Sequence, residues 1–252
     1  MSTVHGPLTA HSTIWWSVTE GRSTVVRRDI PPGKLEILAI PVVLLRFPAC
    51  HPGVLSDFCV TRPSVTDHPY MFNPWHDLPA GDKPPEHVTA VIEIPAKSRN
   101  KYELDKVSGL LKLDRVLYSA VHYPGDYGFI PRTLHEDNDP LDIMVRINEP
   151  TFPGCQIDAR PVGVLKMLDK GEPDDKVLAV PMHDPIHDEV HDLGDLPSHF
   201  LREVEHFFKI YKDLEGKRVE IIGWFDAEEA RRIIIESIDR YNAKYGAGPA
   251  GA

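Results

Sequence analysis

The stretch Asp137-Asn138-Asp139-Pro140-Leu141-Asp142 puts three carboxylates within six positions, directly before the apolar run Ile143-Met144-Val145. Like charges this close repel, and burying them uncompensated is costly. A chain carrying such a segment beside a core strand has two ways to fold. Either the loop is fully solvated, or it holds hard cations such as Mg²⁺ or Ca²⁺ that prefer oxygen ligands. An EF-hand does not fit. Counted from Asp137, position 6 is Asp142 where Gly is needed, and position 12 is Asn148 where Glu is needed.

The remainder of the chain favours the cation. A second acidic cluster, Asp169-Lys-Gly-Glu-Pro-Asp174-Asp175-Lys176, also joins two β-rich stretches. A third set lies earlier: Glu93, then Lys101 and Glu103, then Arg115. Lys101, Glu103 and Asp105 stand at i, i+2 and i+4, so they share one face of a strand. Tyr123 and Tyr127 flank Pro-Gly-Asp, and Tyr211-Lys212 follows an amphipathic run. Carboxylates for several divalent ions, with Lys, Arg and Tyr donors, suit a small, highly charged phosphate substrate neutralised by metal.

Elements follow from periodicity. Val88–Ile94 is rich in β-branched residues and reads as a strand. Residues 101–105 and 110–115 alternate polar and apolar around a turn ending in Gly109, which predicts a hairpin. Further strands are expected at 141–147, 155–169, 176–181 and 218–224. Many short strands joined by turns suggest a closed or nearly closed barrel. Two helices close the chain. Ser198 is the expected cap of the first, with Leu201, Val204, Phe207, Phe208 and Tyr211 on one face and Gly216 beyond its end. Asp226-Ala-Glu-Glu229 starts the second, Ile233, Ile234, Tyr241 and Tyr245 form its buried stripe, and Gly246 stops it.

Residues 1–70 read differently. Their net charge is +1 against −11 for residues 71–252, Pro is frequent, and no helical or strand periodicity persists. They are expected to be an extension outside the core, with Met71 the true start and 1–70 upstream sequence. The pair Trp15-Trp16 has no assigned role. The whole-chain charge of −10 disfavours a general nucleic-acid binder. Three cysteines, Cys50, Cys59 and Cys155, form no CxxC pair and support no disulfide framework, which fits a reducing cytoplasm. The longest apolar stretch, Leu35–Phe47, is interrupted by Pro41 and Arg46 and falls short of the roughly 20 residues of a membrane-spanning helix.

Residues 72–245 resemble a family I soluble inorganic pyrophosphatase. The family's Asp-x-Asp-Pro-x-Asp signature stands here as Asp137-Asn-Asp139-Pro-Leu-Asp142. Around it, in the family's order, stand Val91-Ile-Glu93-Ile-Pro95, Lys101-Tyr-Glu103, Asp114-Arg115, Tyr123-Pro-x-x-Tyr127-Gly, Asp169-x4-Asp174-x-Lys176 and Tyr211-Lys212. The resemblance implies an α+β, mainly β protein: a five-stranded, OB-like closed barrel flanked by two C-terminal helices. It implies Mg²⁺-dependent hydrolysis of diphosphate to two phosphates, with Mn²⁺ or Zn²⁺ as substitute ions. By the same resemblance Asp137, Asp142, Asp169, Asp174 and Glu103 are metal ligands, and Asp139 is the carboxylate beside the nucleophilic water. Lys101, Arg115, Tyr127, Lys176, Tyr211 and Lys212 bind substrate, and Glu93 is an outer-shell acid. A homo-oligomer, a hexamer by the bacterial pattern, is expected, without nucleic-acid or membrane partners.

One departure is Asp126, where the family more often has Asn. Such a carboxylate either adds negative charge near the phosphate site or points outward. Tyr123 fits core packing as well as substrate contact. His183, His187 and His191 are spaced by four but sit among acids and Pro185, so a solvated acidic loop is expected rather than a metal-binding helix face. Cys155 reads as a small core residue. Two other functions remain open: an OB-like binding scaffold that has lost catalysis, and a metal phosphatase acting on nucleotides or polyphosphate. The acidic set is complete at every metal-type position, which a scaffold would not require.

Overall fold

The computed structural model describes residues 14–19, 22–27 and 72–246. The chain divides into two units, 1–60 and 61–252. In the first unit, β1 (Ile14–Thr19) and β2 (Arg22–Arg27) pair antiparallel as a hairpin. The expectation that no strand order persists before residue 70 is thus corrected for this segment. Met71, Cys50, Cys59 and the Leu35–Phe47 run lie outside the described residues.

In the second unit a short helix, α1 (Pro74–Asp77), is capped by the Asn73 side chain. Then come β3 (Val88–Ile94), β4 (Asn100–Leu104), β5 (Leu111–Val116), β6 (Asp126–Phe129), β7 (Asp142–Val145), β8 (Gln156–Asp169), β9 (Glu172–Pro173) and β10 (Lys176–Pro181). Helix α2 (Ser198–Ile210), β11 (Val219–Phe225) and helix α3 (Ala227–Tyr245) complete the unit.

Five strands close a ring. β3 pairs antiparallel with β6, β6 with β7, β7 runs parallel to β10, and β10 and β3 both pair antiparallel with β8. β8 serves several neighbours because it is 14 residues long, pairing with β3 near its start and with β11 near its end. The β4–β5 hairpin is a separate two-stranded sheet.

The ring strands are apolar on both faces, as expected of strands covered on both sides. Ile143, Val145, Val177 and Ala179 pack with Ala230, Ile233 and Ile234 of α3. The alternate residues Met144, Leu178 and Val180 pack with Val204, Phe207 and Phe208 of α2. Truncating a buried Phe such as Phe208 typically costs about 3–5 kcal/mol. Across the described residues no helix is long and apolar enough to cross a membrane.

Several expectations need correction. The residue flanking the start of α2 is Pro197, with no side-chain cap, so Ser198 is the first helical residue. Gly216 ends a short 3₁₀ turn, Asp213–Glu215, not α2 itself. Asp226 does cap α3, accepting from the Glu229 N–H at 2.9 Å, but Tyr245 in the expected stripe is exposed. Asp126 does neither of the two things expected of it. It is fully buried and accepts from the Ala96 N–H at 2.7 Å and from the Thr151 N–H and hydroxyl. Tyr123 is core, its ring packed at a tilt against those of Phe207 and Tyr127. His183 and His191 are exposed, but His187 is wholly buried with its Nδ1 2.9 Å from Asp184 Oδ2, so the loop is not uniformly solvated. Cys155 is partly buried beside the α3-facing core.

Candidate active site

A cavity of about 340 Å³ opens at the ends of the ring strands. Its wall carries eight carboxylates and five lysines. Each arrives there for a local reason.

Glu93 comes from a bulge. β3 pairs Ile92 with Gly128 and Ile94 with Tyr127, so Glu93 is an extra residue in the ladder. A bulge of this kind re-aims a side chain. Glu93 is buried, and its Oε1 accepts from the Leu104 N–H at 2.7 Å. Burial first, and then the Asp142 charge, push its pKa up to about 8.

The acidic loop is held by short-range bonds. Asp137 Oδ1 accepts from the Asp139 N–H at 3.0 Å, and Asn138 takes a left-handed φ of 68°. The buried Thr133 hydroxyl donates to the Ile130 carbonyl and accepts from the Leu141 N–H at 2.9 Å. Leu141 is thereby pinned in the core while the acids around it face the cavity. Burial first, and then repulsion from Asp142, Asp139 and Asp174, raise the Asp137 pKa to about 6 despite the loop hydrogen bond.

Strand register supplies the floor. β7 and β10 run parallel with Asp142 opposite Lys176. The Lys176 ammonium bonds both Asp142 and Asp174. Burial disfavours its charge, but those two carboxylates outweigh burial and raise its pKa, so it stays an ammonium. Asp174 is partly buried, which would raise its pKa, yet Lys176 pulls it below the ordinary value. The Tyr127 hydroxyl donates to Asp142 Oδ2 at 2.6 Å. Burial, then Asp142 and Asp174, push its pKa well up, so it remains a donor. Asp169, at the end of β8, accepts from Lys212 at 2.8 Å, and Lys212 and Tyr211 follow the last turn of α2. On the hairpin, Lys101 bonds Glu103.

Twelve of the thirteen side chains expected from the sequence therefore line one cavity. Arg115 does not. It lies one strand over from Lys101, with its Nε bonded to Glu215 at 2.8 Å and its guanidinium to Asp114. Asp105, expected on the same face as Lys101, instead accepts the Val107 N–H in the hairpin turn. Sequence reasoning missed Lys106, Lys170 and Glu172 on the wall. Lys106 sits in the turn between the two hairpin strands. Because that hairpin already carried Lys101 and Glu103, its turn was the place to look.

The donor set fits hard divalent cations. Asp169 Oδ1 is buried with no hydrogen-bond partner. The carboxylates outnumber the lysines, and repulsion from Asp142, Asp139 and Asp174 adds to burial in raising the Asp137 pKa. Among the described residues no three acidic, His or Cys side chains stand close enough to form a ready-made cage. Each floor acid is clasped by a lysine instead. Ionic oxygen donors with one orphaned atom are what Mg²⁺-like ions take.

The inorganic pyrophosphatase family matches this chain over residues 90–242, which takes in this whole set of acids, lysines and tyrosines. The chain belongs to the inorganic pyrophosphatase family. The inorganic pyrophosphatase of Haloferax volcanii is 49% identical over 176 residues, 69% of this chain and 99% of that protein. That of Geobacillus stearothermophilus is 56% identical over 155 residues, 62% of this chain and 94% of the relative. The crystal structure of the Thermus thermophilus inorganic pyrophosphatase superposes with a TM-score of 0.66 at 46% identity, covering 68% of this chain and 99% of that one. The pyrophosphatase fold accounts for the ring of five strands and the C-terminal helices, and the family's chemistry calls for divalent metal.

Proposed function

We propose that this cavity performs the family's reaction, hydrolysis of inorganic diphosphate to two phosphates, with Mg²⁺ as the working ion. The observation that carries the reading is the convergence of acids and ammonium groups from five separate segments on one cavity. Asp137, Asp142, Asp169, Asp174 and Glu103 would hold the ions, with Glu93 behind them. Bound there, divalent cations lower the pKa of water and screen the anionic phosphate oxygens.

The chain's own residues do the rest. Lys101, Lys176, Lys212, Tyr127 and Tyr211 donate to substrate oxygens, and these hydrogen bonds and the lysine charges grow in value as the bridging bond breaks. Lys176 is suited because its ammonium is buried and persistently charged. Arg115 would join them by exchanging Glu215 for a phosphate oxygen. Asp139, with its carboxylate exposed at the mouth, takes the proton of the attacking water. The water oxygen bonds one phosphorus, the bridging P–O bond breaks, and its electron pair leaves with the second phosphate.

The ring is of the OB-like barrel type, residues 71–252 suffice for activity, and the working protein is a cytoplasmic hexamer. Exposed apolar side chains such as Leu113, Val116, Ile222 and Phe225 support association. The experiment is phosphate release with Mg²⁺ from diphosphate and from ATP. Strong preference for diphosphate, abolished by EDTA, is expected. Preference for ATP would overturn the reading in favour of a nucleotide phosphatase.

A further inference from the structure

The three lysines of the cavity that the sequence assigned to substrate share one habit. Each rests on a carboxylate of the site: Lys101 on Glu103, Lys176 on Asp142 and Asp174, Lys212 on Asp169. A fourth pair follows the same pattern without any assigned role. Lys106 rests on Asp139, the proposed acceptor of the water proton.

The surroundings of Lys106 hold its ammonium at the cavity mouth. Its Nζ lies 5.4 Å from the centroid of the Trp75 ring. Trp75 is itself fixed, buried with its indole N–H donating to the Thr133 carbonyl at 2.8 Å. The Lys106 carbonyl accepts from the Asn73 side-chain amide at 3.1 Å. The turn cannot drift from this support. Gly109, at φ +67°, lies so close to the Phe72 carbonyl that an added Cβ would come within 2.3 Å of it. The pair with Asp139 is half exposed on both sides, so it is weakly held and readily exchanged.

We infer that Lys106 is a further substrate-binding residue: its ammonium, paired with Asp139, moves to the oxygens of the incoming diphosphate and frees Asp139 for the water. The inference rests on the diphosphatase reading above. It adds a positive charge to the mouth, opposite the floor lysines, and it couples substrate arrival to release of the base. A lysine on a flexible stem over an aromatic platform is suited to such a short transfer.

The test uses the full chain with saturating Mg²⁺ and three proteins: wild type, Lys106→Met and Lys106→Arg. Lys106→Met is expected to raise KM for diphosphate about tenfold, with kcat changed less than about threefold and an unchanged melting temperature. Lys106→Arg keeps the charge and is expected to restore most of the loss. Calorimetric titration with methylenediphosphonate, a non-hydrolysable analogue, should show the same tenfold weakening for Lys106→Met. An unchanged analogue Kd and KM in Lys106→Met would overturn the inference. So would a fall in kcat at constant KM, which would confine Lys106 to Asp139. Failure of the wild type to release phosphate from diphosphate would instead overturn the diphosphatase reading, while the analogue titration still judges Lys106.

Discussion

The floor and the rim of this cavity are built from different materials. Of the floor, Asp142 and Lys176 stand on ring strands whose register is fixed and whose faces are both buried, and Asp174 lies two residues before Lys176. The rim, Lys101, Glu103 and Lys106, hangs from a hairpin outside the ring, and its ion pairs are more exposed. Charge on the floor is therefore part of what makes the fold stable. Charge on the rim is free to serve the substrate. The same residue types do two jobs because their dielectric surroundings differ.

The comparison breaks first at Lys176. In metal-free buffer Lys176→Met leaves two partly buried carboxylates without their shared ammonium, and a loss of about 3 kcal/mol of stability is expected. Thermal unfolding should show it as a fall of roughly 10 °C, at about 2–4 °C per kcal/mol for a unit of this size. A melting point within a degree or two of wild type would mean that the floor pairs contribute nothing. Asp139→Asn comes next and acts on rate alone. It keeps shape and exposure but not basicity, so kcat should fall at least about a hundredfold with an intact fold. Near-normal turnover removes Asp139 from its role.

A pH scan sharpens the contrast. Glu93 holds its proton to about pH 8, against an ordinary value of 4.5, because burial disfavours its charge. The folded state then binds more protons than the unfolded one between those values, so stability falls as pH rises from about 4.5 to about 8 and levels off above. Asp137, raised to about 6, adds the same sign in a narrower window. Unfolding of the metal-free protein across this range should show the decline, and Glu93→Gln should flatten most of it. An equally steep decline in the variant assigns it elsewhere. The smallest effect on stability belongs to the rim: Lys101→Met should cost no more than about 1 kcal/mol while raising KM for diphosphate.

The sequence made the floor more legible than the rim. β3, β8, β10 and β11 stood out because their apolar, β-branched runs are long, and the acid loops lie at their ends. β6 did not, since its four residues sit inside a stretch of Tyr, Pro and Gly that reads as a motif. Ring closure was legible only as a barrel-like expectation, because which strands β8 joins depends on contacts far apart in the chain. Glu93 was found as a type but not as a bulge, since the extra residue shows only against a partner strand. The placement of Arg115 and Lys106 was not legible, for one reason. Exposed long side chains choose partners in space, here Glu215 and Asp139, and local spacing does not encode that choice. Asp126 is the converse case. Beside Tyr127 in sequence it looked like site charge, yet strand alternation turns it away to bind Ala96 and Thr151.

The central claim is that these acids gather to hold divalent ions. Diffraction from crystals soaked in Mn²⁺ and phosphate, recorded for the anomalous signal of manganese, tests it most directly. The account predicts manganese peaks inside the cavity, within bonding distance of Asp137, Asp142, Asp169 and Asp174, with Lys176 and Lys212 turned toward phosphate. A cavity without manganese, its acids still clasped by lysines at saturating metal, would contradict it.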